Sequence, residues 1–473
     1  MSSQRYDLAV IGSGPAGQKA AIAATKLGHS VAIVDGQGLL GGVCLKTGTI
    51  PSKTLREAVL YLTGYRQRTF YGKSYRLQNR ISTADLDKRV QHVILQQQDV
   101  VHDQLRRNDV QIVEGHARFI DPNTLEVASD NGRETIESDF ILVACGTRPA
   151  RREGIPFDHP HVMDADQLYE TVRGDEIARS GIVVGAGVIG LEYAAMMGAL
   201  GMKVTVIDMR EQLLDFVDRE MIGALAYHMR RSGVTFRLGE TVSSITVEDD
   251  GLITACLDSG KVVTAERLLY AVGRQPNTDR LNIEAASLTV DKRGRLSVNE
   301  HGQTDVPHIY AAGDVVGFPA LASTSMEQGR LAACHMFGVP CEPRPELLPY
   351  GIYTIPEISM VGRTEDQLTA EKIPWEVGLA RFEELAKAQI IGDQTGLLKL
   401  IFEPATLKLL GVHIIGDCAS ELVHIGQSVM ASGGTMATLR DTVFNYPTLA
   451  EAYKVAALDG LNKVGAHHTY VTT

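Results

Sequence analysis

The pattern of apolar and polar positions in the first part of the chain predicts buried strands that alternate with helices. Residues 6–11 form a near-continuous apolar run, which is typical of a parallel strand covered on both faces. A glycine-rich turn, an alanine-rich helix to about residue 27 and an apolar strand over residues 30–34 follow. The periodicity further predicts a helix at 84–105, strands between 110 and 127, and a buried strand at 140–144.

The same order of elements begins again in the middle of the chain. Residues 181–184 predict a strand, a second glycine turn follows, and residues 191–200 and 204–207 predict the helix and the returning strand. The segment from about residue 347 has no glycine turn, which indicates a separate α+β domain. We therefore predict an α/β protein with two Rossmann-like dinucleotide-binding domains and a C-terminal α+β domain.

Each copy of the unit carries a G-x-G-x-x-G turn between its strand and its helix, and an acid ends the second strand. The glycines are Gly12, Gly14 and Gly17 in the first copy and Gly185, Gly187 and Gly190 in the second. The first permits the tight turn, the second lets a pyrophosphate approach the backbone, and the third lets helix and strand pack closely. The carboxylates of Asp35 and Asp208 are placed to accept hydrogen bonds from a ribose 2′-hydroxyl.

Two such units predict two dinucleotides, one a resident flavin and the other an exchangeable nicotinamide nucleotide. Residues 304–314 support this interpretation, because they read as a strand that ends in Gly313 and Asp314, a suitable contact for a ribityl chain. The competing interpretation is that both glycine runs are only tight turns in a sheet protein.

Composition and charge exclude several functional classes. The formal net charge is −11, which disfavours nucleic acid and anionic membrane surfaces as partners. No apolar run reaches the 18 residues of a membrane span. The N-terminus runs directly into a strand pattern, so we expect no signal peptide and a cytoplasmic protein. The sequence has neither an HExxH motif nor a CxxC pair, so we expect no catalytic metal.

On these motifs the chain resembles the class I pyridine nucleotide–disulfide oxidoreductases. The matching segments are Gly41–Cys44, Ile50–Lys53, Gly146–Pro149, Gly273–Asn277 and Gly313–Asp314. The resemblance implies a homodimer with FAD, and it places contacts to FAD or to the nicotinamide nucleotide at Gly42, Cys44, Thr49, Lys53, Gly146 and Gly273.

The resemblance also implies a division of the chain into domains. We expect a first FAD-binding segment at 1–150, an NAD(P)-binding domain at 151–276, a second FAD-binding or central segment at 277–346, and a dimerisation domain at 347–473.

The departures from the family pattern concern the thiol chemistry. The family places two redox-active cysteines five positions apart, whereas this chain has Cys44 and Thr49, and a threonine cannot form a disulfide. The family's C-terminal acid–base histidine is Tyr446 here, five residues before Glu451. Thiol and disulfide substrates are therefore disfavoured, and Cys44 is expected to be a relic beside the flavin. Tyr446 and Glu451 remain candidate catalytic residues, Tyr446 as a residue that closes a pocket of the neighbouring subunit.

Within the family the chain is similar to the soluble pyridine nucleotide transhydrogenases, which implies hydride transfer between NAD(H) and NADP(H) through FAD N5 in a ping-pong cycle. The resemblance pairs Lys53 with Glu192 beside the flavin N5, where the cation would stabilise developing negative charge. Asp208 favours NADH over NADPH, and Arg210 is the candidate partner for a 2′-phosphate.

Two other functions are compatible with the same motifs. An NAD(P)H dehydrogenase that reduces a quinone or oxygen would need the same flavin and the same loss of thiols. A non-catalytic flavoprotein that senses nucleotides is disfavoured, because it would need neither Lys53 with Glu192 nor an intact second glycine turn.

Overall fold

A mixed sheet with parallel strands at its centre forms the first part of the fold. The computed structural model describes residues 3–36, 40–65, 71, 81–167, 177–341, 347–393 and 395–465. The first elements are β1 (Ser3–Ile11), α1 (Pro15–Lys26), β2 (Val31–Asp35), α2 (Gly42–Lys46), α3 (Thr49–Thr63), α4 (Thr83–Arg106), β3 (Gln111–Glu114), β4 (His116–Asp121), β5 (Thr124–Ser129), β6 (Gly132–Val143) and β7 (Thr147–Pro149). The strand order is β3-β2-β1-β6-β5-β4.

The direction in which the strands pair explains why β6 begins earlier than the sequence pattern predicts. β1, β2, β3 and β6 are parallel, whereas β4, β5 and the first half of β6 form antiparallel pairs. β6 begins at Gly132 and not near residue 140, because its first half is covered on one face only and therefore lacks a continuous apolar run.

The second glycine turn lies in a second, all-parallel sheet. The elements are β8 (Val162–Asp164), β9 (Ser180–Val184), α5 (Val188–Ala199), β10 (Lys203–Asp208), α6 (Arg219–Arg231), β11 (Val234–Leu238), β12 (Val242–Val247), β13 (Ile253–Leu257), β14 (Val262–Ala265), β15 (Arg267–Tyr270) and β16 (Arg274–Pro276). The order is β11-β10-β9-β15-β8, and β12–β14 form a separate antiparallel sheet. We call residues 150–273 the second unit.

The chain then returns to the first sheet. Short 3₁₀ turns at Asn277–Arg280 and Ile283–Ala286 lead to β17 (Ile309–Ala311), a 3₁₀ turn at Asp314–Val316 and α7 (Ala322–Met336). β17 pairs in parallel with β6. The predicted strand over residues 304–314 is therefore much shorter in the structure, because Thr304 and Val306 form a turn with hydrogen bonds to Ile309.

The two crossings between the sheets lie side by side. β7 and β16 form an antiparallel pair in which Thr147 lies opposite Pro276 and Pro149 lies opposite Arg274. The second unit therefore leaves the first sheet and returns to it at a single place.

An antiparallel sheet with helices forms the C-terminal unit, residues 347–465. Its elements are β18 (Tyr350–Ile352), β19 (Ile358–Gly362), α8 (Glu365–Ala370), β20 (Glu376–Arg381), a 3₁₀ turn (Phe382–Glu384), α9 (Ala386–Ile391), β21 (Leu397–Phe402), β22 (Leu409–Ile415), α10 (Ala419–Ala431), α11 (Met436–Asp441) and α12 (Glu451–Lys463). The strand order is β18-β19-β22-β21-β20. One buried apolar cluster contains Leu55 of α3, Val183 of β9 and Ile352 of β18, so all three parts of the chain share a core. The predicted fold class is confirmed.

Candidate functional site

A single cleft runs between the three parts of the chain. Its volume is about 1440 Å³, and both glycine turns, the start of α3 and the β18 segment line it. Pockets for one drug-sized ligand measure roughly 300–1,000 Å³. The cleft therefore has room for more than one small ligand, and both turns open into the same space.

The first glycine turn has the shape that a pyrophosphate site requires. Gly12 has φ +106°, and an added Cβ would lie 2.4 Å from the Ala144 carbonyl oxygen. A Cβ on Gly17 would lie 2.0 Å from the Gly12 carbonyl oxygen, so α1 could not approach β1. A Cβ on Gly14 would meet no atom within 4 Å. The first and third glycines thus close the turn, and the second keeps the backbone open to the cleft at the N-terminus of α1.

The second turn repeats this geometry. Gly185 also has φ +106°, and its added Cβ would lie 2.4 Å from the Ala271 carbonyl oxygen. A Cβ on Gly190 would lie 1.9 Å from the Gly185 carbonyl oxygen, whereas Gly187 faces open space. Two helix N-termini with open backbone, those of α1 and α5, therefore line one cleft.

The carboxylates at the ends of β2 and β10 hold these turns. Asp35 accepts hydrogen bonds from the Ser13 backbone N–H at 3.0 Å and from the Ser13 hydroxyl. Asp208 Oδ2 accepts the Ala186 backbone N–H at 2.6 Å. Both carboxylates line the cleft, where a ribose would reach them.

Asp208 already has a cationic partner. The Arg210 guanidinium donates from Nε to Oδ1 at 3.0 Å and from Nη2 to Oδ2 at 2.8 Å. Burial alone would raise the pKa of Asp208, but the hydrogen bonds from Arg210 and Ala186 outweigh it and hold the pKa below its ordinary value. The position therefore carries a buried, ionised carboxylate and a half-exposed guanidinium side by side.

The remaining predicted glycines also line the cleft. A Cβ on Gly42, which has φ +59°, would lie 2.9 Å from the Gly14 Cα, so this loop packs directly on the first turn. Gly146 and Gly273 have positive φ and face open space at the cleft. Gly313 donates its N–H to Gln328 Oε1 of α7 at 2.9 Å, and Asp314 accepts from the Thr147 hydroxyl at 3.2 Å.

Cys44 and Thr49 face each other where α2 leads into α3. Burial raises the pKa of the Cys44 thiol and the Asp314 charge adds to it, although the Thr49 hydrogen bond and the Lys53 charge oppose the change. Both side chains line the cleft. At neutral pH Cys44 is therefore a protonated thiol with a hydroxyl for a neighbour.

Lys53 and Glu192 come together from different parts of the chain. Lys53, in the second turn of α3, places Nζ 2.6 Å from Glu192 Oε2 of α5. The Glu192 side chain is 6% exposed and that of Lys53 is 26% exposed, so the ion pair is dry on one side and open to the cleft on the other. Glu192 Oε1 also accepts the backbone N–H of Tyr353 at 2.8 Å.

Tyr446 and Glu451 lie apart from this cleft. Tyr446 is 71% exposed on the C-terminal unit, and Glu451 is the first residue of α12. Neither is among the residues that line the cleft. Within one subunit the structure therefore does not bring these two candidates to Lys53 and Glu192, and their predicted roles depend on a partner subunit.

Three residues at the site were not identified from the sequence pattern. They are Ser13, Gln328 and Tyr353. Tyr353 lies in a segment that resembles the transhydrogenases, but no local signal indicates its contact with Glu192, 161 positions away. Among the described residues, no cluster of three or more potential metal-ligating side chains occurs, and no helix is long and apolar enough to cross a membrane.

The cleft is suited to FAD and a nicotinamide nucleotide. Each glycine turn leaves an uncovered backbone at a helix N-terminus, where a side chain on Gly14 or Gly187 would fill the space for a pyrophosphate. The same cleft is lined by Asp35 and Asp208 and by Lys53 and Glu192. Fold and cleft together are those of the FAD-dependent oxidoreductases.

Comparison with known families gives the same result. Residues 6–329 match the model described as pyridine nucleotide-disulphide oxidoreductase, and residues 348–457 match the dimerisation domain of the same family. The chain belongs to the pyridine nucleotide-disulphide oxidoreductase family.

Full-length relatives make the comparison more specific. A soluble pyridine nucleotide transhydrogenase of Mycobacterium bovis is 56% identical over 465 residues, 98% of each chain. A soluble pyridine nucleotide transhydrogenase of Photobacterium profundum is 44% identical over 471 residues, 97% of this chain and 98% of the relative. Among solved structures, LpdA of Mycobacterium tuberculosis matches with a TM-score of 0.88 and 26% identity, over 96% of this chain and 99% of that one.

Proposed function

We propose that the enzyme transfers hydride between NAD(H) and NADP(H) in a ping-pong cycle through FAD, without a redox-active disulfide. The observation that carries this proposal is the opening of both glycine turns into one cleft, with Lys53 and Glu192 between them and Thr49 facing Cys44. The transhydrogenase relatives support it, because they match along nearly the whole chain.

The two turns divide the work of binding. The first turn and Asp35 hold the pyrophosphate and adenosine ribose of FAD, and Gly42, Gly146, Gly313 and Asp314 line the rest of its site. FAD, when bound, supplies the atom that accepts and donates hydride. The second turn and Asp208 hold a nicotinamide nucleotide that binds and leaves. Among the described residues that line the cleft, the second turn is the one that remains for an exchangeable nucleotide, so the two coenzymes would use it in turn.

Lys53 supplies positive charge at the reacting end of the cleft. Its ammonium is fixed by the ion pair with Glu192. Because the Glu192 carboxylate is buried, replacing the ammonium by water would cost considerable free energy. A fixed cation stabilises charge that develops in the transition state better than solvent does, because it needs no reorganisation. Cys44 takes no part in electron transfer, since its thiol stays protonated and its neighbour is a hydroxyl.

Asp208 and Arg210 allow one site to serve both coenzymes. With NADH the carboxylate accepts a hydrogen bond from the 2′-hydroxyl. With NADPH the half-exposed Arg210 side chain turns from Asp208 to the 2′-phosphate and screens the carboxylate. The exchange replaces one bidentate pair by another, so the site prefers NADH without excluding NADPH.

We further propose a homodimer held by the C-terminal unit. The match of residues 348–457 to a dimerisation domain supports this assembly. The exposure of Tyr446 and Val443 fits a surface that a second subunit covers. In that assembly Tyr446 and Glu451 would approach the cleft of the partner subunit.

Anaerobic stopped-flow absorbance tests the proposal in two steps. The yellow protein is first reduced by one equivalent of NADH, freed of NAD⁺, and then mixed with NADP⁺. We expect rapid bleaching in the first step, and recovery of the flavin absorbance with formation of NADPH in the second. Failure of NADP⁺ to reoxidise the flavin, with rapid reoxidation by a quinone, would contradict the proposal.

The quinone result would establish the second candidate, an NADH dehydrogenase. The observation that favours this candidate is the pairing of Asp208 with Arg210, because a 2′-phosphate has to displace Asp208 to obtain its cation. The two functions differ only in the acceptor, which the second mixing step measures directly.

A further inference from the structure

Tyr353 contacts both members of the Lys53–Glu192 pair. Its backbone N–H donates to Glu192 Oε1 at 2.8 Å, while Lys53 occupies the other carboxylate oxygen at 2.6 Å. The Lys53 ammonium also lies over the Tyr353 ring, 4.8 Å from its centroid. A residue of the C-terminal unit therefore touches a residue from each of the other two parts of the chain.

The position of Tyr353 is itself fixed from several sides. Its side chain is half-buried, and burial raises the pKa of the hydroxyl. A Cβ added to Gly351 would lie 3.2 Å from the ring, so the neighbouring backbone packs close against it. Arg56, one helical turn beyond Lys53 on α3, donates to the Thr354 carbonyl at 3.0 Å. α3 therefore contacts the Tyr353 segment at two places, through Lys53 and through Arg56.

Lys53 needs such support more than Glu192 does. A lysine ammonium is a point charge on a flexible four-carbon chain, and one ion pair leaves it free to pivot about the carboxylate. The aromatic face supplies a second, directional contact with the cation. Carboxylate and ring together limit the ammonium to the side of the pair that faces the cleft.

We propose that Tyr353 is a positioning residue that sets where the Lys53 charge lies relative to the flavin. The inference rests on the proposed function only in requiring FAD in the cleft, and it holds for any acceptor. It makes the C-terminal unit part of the catalytic apparatus within a single subunit, separately from any contact between subunits. The aromatic ring, and not the hydroxyl, holds the cation.

Three variants separate these roles. Tyr353→Leu keeps the backbone N–H and an apolar side chain but removes the aromatic face. Tyr353→Phe keeps the face and removes the hydroxyl, and Ser420→Ala is the control, because it removes a buried hydroxyl that has no hydrogen-bond partner. Each is purified with FAD and reduced by NADH under anaerobic conditions, and the flavin midpoint potential is measured by redox titration.

We expect the Leu variant to lower the limiting rate of flavin reduction by about fivefold, close to 1 kcal/mol of barrier. Its apparent Kd for NADH should stay within about twofold of the wild-type value, since the cation–π contact is worth little to the ground state. Its midpoint potential should become more negative, because a less fixed cation stabilises the reduced flavin less. The Phe and Ser420→Ala variants should resemble wild type in all three measurements.

Wild-type rate and potential in the Leu variant would overturn the proposal, as would an equal loss in the Phe variant. If the Leu variant fails to retain FAD, Tyr353→Met carries the same expectation with an unbranched side chain. The proposed function fails separately, when wild-type enzyme does not reduce NADP⁺. That failure leaves the first half-reaction, and with it the comparison of Tyr353 variants, intact.

Discussion

At the scale of single residues, Cys44 shows how its surroundings determine the chemistry of a thiol. The thiol lies in the cleft beside Thr49, and both its burial and the Asp314 charge raise its pKa. Only a thiolate acts as a nucleophile or donates charge to an oxidised ring, so a protonated Cys44 is a small, weakly polar side chain.

Cys44→Ser is therefore expected to leave nicotinamide–flavin hydride transfer within a few-fold of wild type. In both proteins, reduction by two electrons should give no long-wavelength thiolate–flavin absorbance band. Stopped-flow spectra of the two proteins provide the test. A loss of more than about a hundredfold in rate, near 2.7 kcal/mol of barrier, with FAD retained would show that Cys44 has a catalytic role.

Asp208 should favour NADH, and Arg210 should favour NADPH. Wild type is expected to have a lower KM for NADH than for NADPH. Asp208→Asn should narrow or reverse the difference, because the amide accepts a hydrogen bond without repelling phosphate. Arg210→Ala should widen it. Steady-state kinetics with both coenzymes give one ratio of KM values for each of the three proteins, and a wild-type preference for NADPH that survives Arg210→Ala would contradict the assignment.

The preference should also depend on pH. Because its pKa is depressed, Asp208 stays ionised above the ordinary carboxylate range, whereas a phosphate monoester gains its second charge near pH 6. The ratio of KM for NADPH to KM for NADH should therefore rise as the pH increases through about 6 in wild type. In Asp208→Asn the same profile should be flatter, and equal slopes in both proteins would be evidence against charge repulsion.

At the scale of secondary-structure elements, the two βαβ units repeat one solution to the same steric problem. In each, the third glycine lies against the carbonyl of the first, at 2.0 Å or less from an added Cβ. The helix can then start close to the strand, with its free N–H groups directed at the cleft.

Gly17→Ala and Gly190→Ala should separate the two sites. We expect Gly17→Ala to be isolated without FAD, and Gly190→Ala to stay yellow while its reduction by NADH requires at least about tenfold more coenzyme. Absorbance after desalting and NADH titration give the two readouts. Gly223→Ala, on the exposed face of α6 with open space around the added methyl, is the control and should match wild type. Loss of FAD in Gly190→Ala would contradict the division of sites.

Sequence patterns predicted those elements whose apolar residues form a continuous run or a helical period, and failed at a strand with alternating burial and at contacts between distant residues. Both βαβ units and the helix at 83–106 follow from runs of apolar residues or from helical periodicity. The first half of β6 was missed, because its pairing with β5 leaves only alternate positions buried. At the site, the pairing of Lys53 with Glu192 came from a family resemblance, whereas the contact of Tyr353 with both depends on how three parts of the chain pack.

At the scale of the whole molecule, Lys399 joins the second unit to the C-terminal unit. Its side chain is 1% exposed, and its ammonium contacts Asp218 at 3.0 Å, Glu365 at 2.6 Å and Glu220. Burial alone would lower the pKa of Lys399, but the hydrogen bonds that its ammonium donates to Glu220 and Glu365 and the Asp218 charge raise it above its ordinary value. Removal of the cation would leave the buried Asp218 carboxylate uncompensated.

Lys399→Met should destabilise the fold by about 3 kcal/mol, which thermal or urea unfolding at neutral pH would detect. Since the folded pKa is raised, the stabilisation is complete below the unfolded value of about 10.4 and is lost as the pH rises through the folded value. The difference between the two proteins should therefore shrink only in strong alkali. Lys463→Met, which removes an exposed i,i+4 pair with Asp459, should cost less than about 0.5 kcal/mol.

The antiparallel pair of β7 and β16 allows the second unit to be exchanged as a whole during evolution. Because the second unit is attached at one place, with both of its ends side by side, a lineage can replace it as a block while β17 still completes the first sheet. The residues proposed to set the coenzyme preference can then be exchanged together with the second unit, while the flavin-binding part of the fold stays unchanged. The Lys53–Glu192 contact crosses that boundary, so a transplanted unit has to bring its own matching glutamate.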